Sequence, residues 1–219
     1  MIKVNILTPH QVDILKRIGS DPFLSDTFYF SGGTALSEVY FQHRESIDLD
    51  FFTPQLYDAQ NITSCLNEWS TDLRFTIESE FVAPTHIYFL TFQDNLKLKI
   101  DFAQYPYRQL DSLVLYNGNL RVDSLHDIAA NKLIALTQRI EVKDFVDMYF
   151  LLQKYTFWDL KLAVEMKFHV EIDPFVFASD CMAVDDFEFL PKMIRPLELS
   201  ELRRFYRKLA KDIGNRSIS

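Results

Sequence analysis

Cysteine is scarce in this chain. Two occur in 219 residues, Cys65 and Cys181, far apart and in no ligand-like spacing. That argues against a zinc site and fits a reducing compartment with free thiols. No uncharged apolar run reaches the roughly 18 residues needed to span a bilayer. The opening stretch MIKVNILTPH has one early lysine and a very short apolar run, so it does not read as a signal peptide. Positive charge is in deficit: 23 Lys and Arg stand against 31 Asp and Glu, a formal net charge of −8. Phosphate repels such a chain, which makes it a poor non-specific coat for nucleic acid, although local basic patches stay open. Repeats and low-complexity linkers are absent as well. The expectation is a soluble cytoplasmic protein with no membrane partner.

Core-forming residues are plentiful. Hydrophobic residues make up 48% of the chain, with 20 Phe and 10 Tyr, so a sizeable core is available and the composition argues against disorder. Thr8 can cap a helix with Pro9 at its first position, ending near Gly19. Thr27 to Phe30 reads as a short buried strand running into Gly32-Gly33, and Thr34 to Phe41 as helix. Strands are predicted over Ile47 to Phe52, Leu73 to Phe81, Ile87 to Phe92 and Leu96 to Phe102. Asn117-Gly118, between LVLY and NLRV, is a hairpin signal. From Ser124 onward helical spacing dominates, through SLHDIAANKLIALTQRI, KDFVDMYFLLQKY, FWDLKLAVEMKF, Pro174 to Val184 and SELRRFYRKLAKDIG. The pattern predicts an α+β domain over residues 1–122 and an all-helical domain over 123–219.

The chemistry concentrates in SGGTALSEVYFQHRESIDLDFF, Ser31 to Phe52. Side chains alternate along a strand, so Asp48 and Asp50 share one face, roughly 7 Å apart at the Cα level. Leu49 and Phe51 take the core face. In LKLKIDFAQY, Asp101 shares a face with Lys97 and Lys99, opposite Leu98 and Ile100. If that strand lies beside Ile47 to Phe52, three carboxylates converge, and two metals ~4 Å apart could serve an in-line displacement at phosphorus. Magnesium suits a few carboxylates with water and phosphate oxygens. Gly32-Gly33, between strand and helix, lets backbone N–H groups approach an anion, and Thr34 adds a hydroxyl. Arg44 and Ser46 precede the acidic strand, where Arg44 could touch phosphate or pair with Glu45 or another acid.

Plainer readings stand beside these. Asp48 and Asp50 suit a solvated edge strand, and Asp101 suits a surface ion pair with its lysines. Gly32-Gly33 suits a tight turn. Lys132 suits a snorkelling helix-edge lysine. Asp144 and Asp147, three apart at a helix start, suit the helix dipole, with Lys143 in reach of Asp147. Arg203, Arg204, Arg207, Lys208 and Lys211 form a solvated helix face beside apolar Leu202, Phe205 and Leu209, or a docking patch for RNA or an acidic partner.

The order Gly32-Gly33-Thr34-Ala35-Leu36, Tyr40, His43-Arg44, Ser46, Asp48-Leu49-Asp50-Phe51 resembles nucleotidyltransferases of the polymerase-β type. More narrowly it resembles the AbiEii/AbiGii toxin family of abortive-infection and toxin–antitoxin systems. DIAANKLIALTQRIEVKDFVDMYFLL, Asp127 to Leu152, is similar to that family's downstream motifs. The resemblance implies a polymerase-β-like mixed sheet with helices and transfer of a nucleotide from an NTP to a hydroxyl, with pyrophosphate released. It implies Asp48 and Asp50 as Mg²⁺ ligands and Asp101 as the third carboxylate. Gly33 and Thr34 would hold the β- and γ-phosphates, Lys132 would neutralise triphosphate charge, and Lys143, Asp144 and Asp147 would form the final motif. The implied acceptor is RNA, in particular tRNA, and the implied partner a cognate antitoxin. Two alternatives stay open: transfer to a small molecule, as in antibiotic-modifying enzymes, and an NTP- or partner-binding module without transfer.

Overall fold

The Thr8 hydroxyl accepts from the Gln11 backbone N–H, and the Gln11 side chain accepts from the Thr8 N–H. This reciprocal cap, followed by Pro9, starts helix α1 (Pro9–Ser20) at the expected place. The computed structural model describes residues 6–218, so the first five residues of the stretch tested for a signal peptide lie outside the described residues. A short α2 (Pro22–Thr27), capped by Asp21, follows. It takes Thr27 out of the expected strand, which is confined to β1 (Tyr29–Ser31). The chain passes into α3 (Gly32–Ala35) and a π-helical turn, Leu36–Phe41. Strand β2 (Leu49–Thr53) comes next, then α4 (Ala59–Leu73), which the sequence reading left unassigned. Helix α4 buries Ile62, Leu66 and Trp69, spaced at i, i+4 and i+7, and stops where Arg74 turns left-handed at φ 56°.

Strands β3 (Phe75–Val82), β4 (Thr85–Phe92) and β5 (Lys97–Gln104) form an antiparallel meander. Strands β6 (Val114–Tyr116) and β7 (Leu120–Val122) form the expected hairpin, with Asn117 and Gly118 both at positive φ. Among the described residues these make one seven-stranded mixed sheet, in the order β3-β4-β5-β2-β1-β7-β6. Strand β2 pairs parallel with β5 and antiparallel with β1. One transverse row is aromatic: His86, Phe102, Phe51 and Phe30 lie side by side on consecutive strands. Phe51 and Phe102 stack at 5.2 Å, and Phe30, Phe51 and Phe102 are all fully buried. The adjacent row is Glu80, Ile87, Asp101, Asp50 and Ser31. Alternation sends that row's side chains to the other face.

Helices follow: α5 (Leu125–Gln138), α6 (Val142–Leu151), α7 (Phe157–Phe168), α8 (Pro174–Cys181) with a 3-10 turn Met182–Asp186, and α9 (Leu199–Ile218). The fold is α+β, a mixed sheet with helices followed by an all-helical part. On α9 the residues turned inward are Leu202, Tyr206 and Ile213. Arg203 donates to the carbonyls of Asp185 and Phe187, and Arg207 pairs with Asp185, while Arg204, Lys208 and Lys211 face solvent.

The chain forms two compact units. One contains the residues up to Tyr40, Ser46–Arg108 and Ser112–Ser124. The other contains Phe41–Glu45, Gln109–Asp111 and the chain from Leu125. Buried charge explains the two short segments in the second unit. The Asp127 carboxylate accepts from the backbone N–H groups of Leu110 and Asp111 and is ion-paired with Lys167 at 2.6 Å. The His43 carbonyl accepts from the N–H groups of Ile194 and Arg195, and Glu45 N–H donates to the Lys192 carbonyl. The aromatic row carries the sheet, so we expect Phe51→Ala to cost about 3–5 kcal/mol. Urea unfolding checks this as a fall in midpoint with an unchanged slope.

Candidate active site

The first unit brings the acidic residues together. Asp50 and Asp101 are direct neighbours across the parallel β2/β5 pair, with their side chains on the face opposite Leu49, Phe51, Ile100 and Phe102. Asp48 lies two residues before Asp50, one residue outside β2. Lys99, two before Asp101 on the same face, places its Nζ 2.6 Å from Asp101 Oδ2. The other oxygen, Asp101 Oδ1, is buried without a hydrogen-bond partner. Burial raises the Asp101 pKa, as do the charges of Asp48 and Glu80, against the opposing pull of Lys99. Burial by itself would lower the Lys99 pKa, but Asp101, Asp48 and Asp50 together raise it. Among the described residues no three His, Cys, Asp or Glu side chains are already arranged to hold a metal ion. Of the expected three-carboxylate convergence, the sheet register places Asp50 beside Asp101, with the Lys99 ammonium on Asp101. Carboxylate oxygens, one of them buried and unbonded, suit a hard divalent cation such as Mg²⁺.

Gly32 is demanded by this arrangement. Its φ is +73°, and a Cβ there would stand 2.0 Å from Asp50 Oδ2. Gly33 and Thr34 are buried beside it. The Thr34 hydroxyl, expected to face phosphate, is turned inward instead. It bonds to the Asp48 backbone carbonyl and to the Ser46 hydroxyl, 2.8 Å away, and Thr34 has no exposed surface. Ser46 is likewise a partner in this wall. Gln11, absent from the sequence reading, completes it: its amide donates to the carbonyls of Ser46 and Ile47 at 3.1 and 3.0 Å. The pattern Thr8-x-x-Gln11 signals a cap, and the capping glutamine is also the clamp on the strand leading to Asp48.

The second unit gathers Arg44, Lys132, Asp144 and Asp147, all buried. Arg44 grips Asp147 with two N–H groups, at 2.6 and 2.8 Å. Lys132 Nζ lies 2.9 Å from Asp144 and 2.6 Å from Asp147. Arg139 adds a second contact to Asp144 at 2.8 Å. His43, part of the resemblance but given no role from the sequence, bonds Asp147 Oδ1 through Nε2 at 2.7 Å. Lys132 is thus no snorkelling edge lysine, and Arg44 pairs with a buried acid rather than a surface one. Lys143 pairs with Glu141 at 2.9 Å, where reach to Asp147 was expected. Burial works against ionised Asp147, but Lys132 and Arg44 hold its carboxyl well below the usual range. Asp144 is lowered in the same way by Lys132 and Arg139 despite burial. Burial lowers the His43 pKa, more than its bond to Asp147 raises it.

These shifts fix the sign of the pH dependence. His43, Asp144 and Asp147 all bind protons more readily unfolded, so each contributes stability above its unfolded pKa and loses it on acidification. We expect stability to fall first below about pH 6.5, through His43, and again below about pH 4. Lys132, raised by its two acids against burial, has the opposite sign and matters only above about pH 10. Urea unfolding at pH 8, 6 and 5 tests this, with His43→Gln expected to flatten the upper step. Asp147→Asn leaves two buried cations undercompensated and should cost about 3–5 kcal/mol at pH 8. Gly32→Ala should cost at least about 1 kcal/mol from left-handed backbone alone and also displace the Asp50 carboxylate. Denaturation and Mn²⁺ titration of that variant read the two effects separately.

Residues 13–213 match the family described as Nucleotidyl transferase AbiEii toxin, Type IV TA system. The Aquifex aeolicus protein aq_aa25 is 33% identical over 158 residues, covering 71% of each chain. A solved structure from H. pylori superposes with a TM-score of 0.62 at 18% identity, over 96% of this chain and 97% of that one. MenT4, a nucleotidyltransferase toxin from Mycobacterium tuberculosis H37Rv, does so with a TM-score of 0.61 at 17% identity, over 94% and 82%. At such identities the two structures speak for the fold, and the family match speaks for the chemistry. The chain belongs to the AbiEii family of nucleotidyltransferase toxins.

Proposed function

We propose that this protein transfers a nucleoside monophosphate from an NTP to a hydroxyl of RNA, in particular tRNA, with Mg²⁺ as cofactor. It acts in the cytoplasm under the control of a cognate antitoxin. The nucleotidyltransferase domain expected over 1–122 corresponds to the first unit, without Phe41–Glu45 and Gln109–Asp111 and with Asp123 and Ser124, and the helical domain expected over 123–219 to the second. The observation that carries the reading is the registered pair Asp50 and Asp101, with an unbonded buried oxygen at Asp101 and Asp48 one residue before the strand. Asp48, Asp50 and Asp101 would hold Mg²⁺, which when bound supplies charge neutralisation to the triphosphate and polarises phosphate oxygens.

In this mechanism the Gly32-Gly33 bend receives the β- and γ-phosphates, while Thr34, fully buried, keeps its hydroxyl in the wall. Gln11, Thr34 and Ser46 fix the segment that carries Asp48. Asp101, whose proton affinity is raised by burial and by Asp48, takes the proton from the acceptor hydroxyl. The acceptor oxygen then forms a bond to the α-phosphorus, the bond from the α-phosphorus to the bridging oxygen breaks, and pyrophosphate leaves with that electron pair. Catalysis is positioning and electrostatics throughout. Lys132, Asp144, Asp147 and Arg44 serve as a buried charge network that fixes the helical domain, and Lys143 as a surface cation beside it. An RNA acceptor is supported by the solvent-facing Arg204, Lys208 and Lys211 on α9, which suit phosphate contacts.

The test uses the full chain with each α-labelled NTP, Mg²⁺ and total RNA. Label is expected on RNA of tRNA size. Asp50→Asn should lower the rate by a factor of about 10² or more without lowering the melting temperature. Label that persists unchanged in Asp50→Asn contradicts the reading. Label on a small hydroxyl compound instead of RNA keeps the transfer and overturns the acceptor.

A further inference from the structure

Lys99 places its ammonium on Asp101, and the sheet register puts it on the same face as that acid. Leu49 pairs with Ile100 and Asp50 with Asp101. Lys99 stands two residues before Asp101 on the same face, and its ammonium is bonded to that carboxylate at 2.6 Å. Asp48 lies one residue before β2, and its charge acts on both Lys99 and Asp101. The register partner of Lys99 on β4 is Phe89, which offers no competing acid. The Lys99 side chain is 32% exposed and that of Asp101 16%, so the lysine has a route to solvent while the carboxylate stays in the wall. The raised Lys99 pKa, with Asp101, Asp48 and Asp50 among its causes against burial, agrees with this placement.

We infer that Lys99 is a resident counter-ion of the acid face, holding Asp101 in place in the metal-free protein and giving up that carboxylate when a divalent cation binds. The inference rests on the reading of Asp48, Asp50 and Asp101 as cation ligands. An ammonium and a divalent cation cannot share one carboxylate without repulsion. A lysine is suited to leaving, since its charge sits on a flexible four-carbon stem. The lysine therefore sets the threshold of cation binding. It lowers affinity for the metal, and it prevents the acids from repelling one another in its absence. Lys99 is a positioning residue that acts through Asp101.

Mn²⁺ titration of the full chain, followed by the paramagnetic resonance of free Mn²⁺, tests this on wild type, Lys99→Met, Lys99→Gln and Lys99→Arg. The Met and Gln variants should bind Mn²⁺ about tenfold more tightly, and Arg should stay near wild type. Thermal melts give the second readout. In EDTA the Met and Gln variants should melt below wild type, and in saturating Mn²⁺ they should melt at least as high. Equal or weaker Mn²⁺ binding by both neutral variants, with wild-type binding intact, overturns the role of Lys99 and leaves the enzyme reading standing. Variants that stay unfolded in Mn²⁺ overturn it as well. No Mn²⁺ binding by wild type or any variant overturns both.

Discussion

Two carboxylates held side by side are the constraint around which the first unit is organised. Asp50 and Asp101 occupy registered positions on adjacent parallel strands, where backbones are about 4.8 Å apart. Like charges directly opposite one another on adjacent strands are destabilising. A one-residue slip of β2 would relieve that but turn Leu49 and Phe51 out of the core. Buried apolar area on one face thus pins an unfavourable charge arrangement on the other. Gly32 closes the site by leaving room for the Asp50 carboxylate, and Gln11 and Thr34 clamp the approach to Asp48.

The second unit treats charge differently. Arg44, Lys132, Asp144 and Asp147 are buried but fully matched, with His43 and Arg139 as further donors. Asp127 and Lys167 form a second buried pair whose carboxylate also takes two backbone N–H groups. Such networks contribute little net stability over apolar packing, yet losing one member is costly, so they fix geometry. The two acid groups differ in their partners: Asp127, Asp144 and Asp147 are bonded to buried cations, whereas Asp101 keeps one buried oxygen without a hydrogen-bond partner.

Much of the fold was legible because local rules and tertiary structure agree. Thr8-Pro9, Asn117-Gly118 and the alternation around Asp48, Asp50 and Asp101 each behave as their spacing dictates. Helix α7 matches its predicted span to the residue. Helices α2 and α4 were not legible: α2 is a single capped turn and a half, and α4 mixes Ile, Thr and Ser into a narrow apolar stripe. The buried ion network was invisible for another reason. Lys132 and Asp144 are twelve residues apart and Arg44 and Asp147 more than a hundred, so no periodicity connects them. Thr34 illustrates a subtler failure, since a hydroxyl beside two glycines suggests a ligand until the Asp48 carbonyl is seen to take it.

The central claim is that Asp48, Asp50 and Asp101 bind a divalent cation beside the Gly32-Gly33 bend. Its most direct test is anomalous diffraction from crystals grown with Mn²⁺ and a non-hydrolysable NTP. The account predicts manganese in contact with carboxylate oxygens of these three residues, triphosphate over the Gly32-Gly33 bend, and Lys99 Nζ withdrawn from Asp101. Manganese bound elsewhere on the chain, with the Lys99–Asp101 pair intact and no triphosphate at the bend, would contradict it.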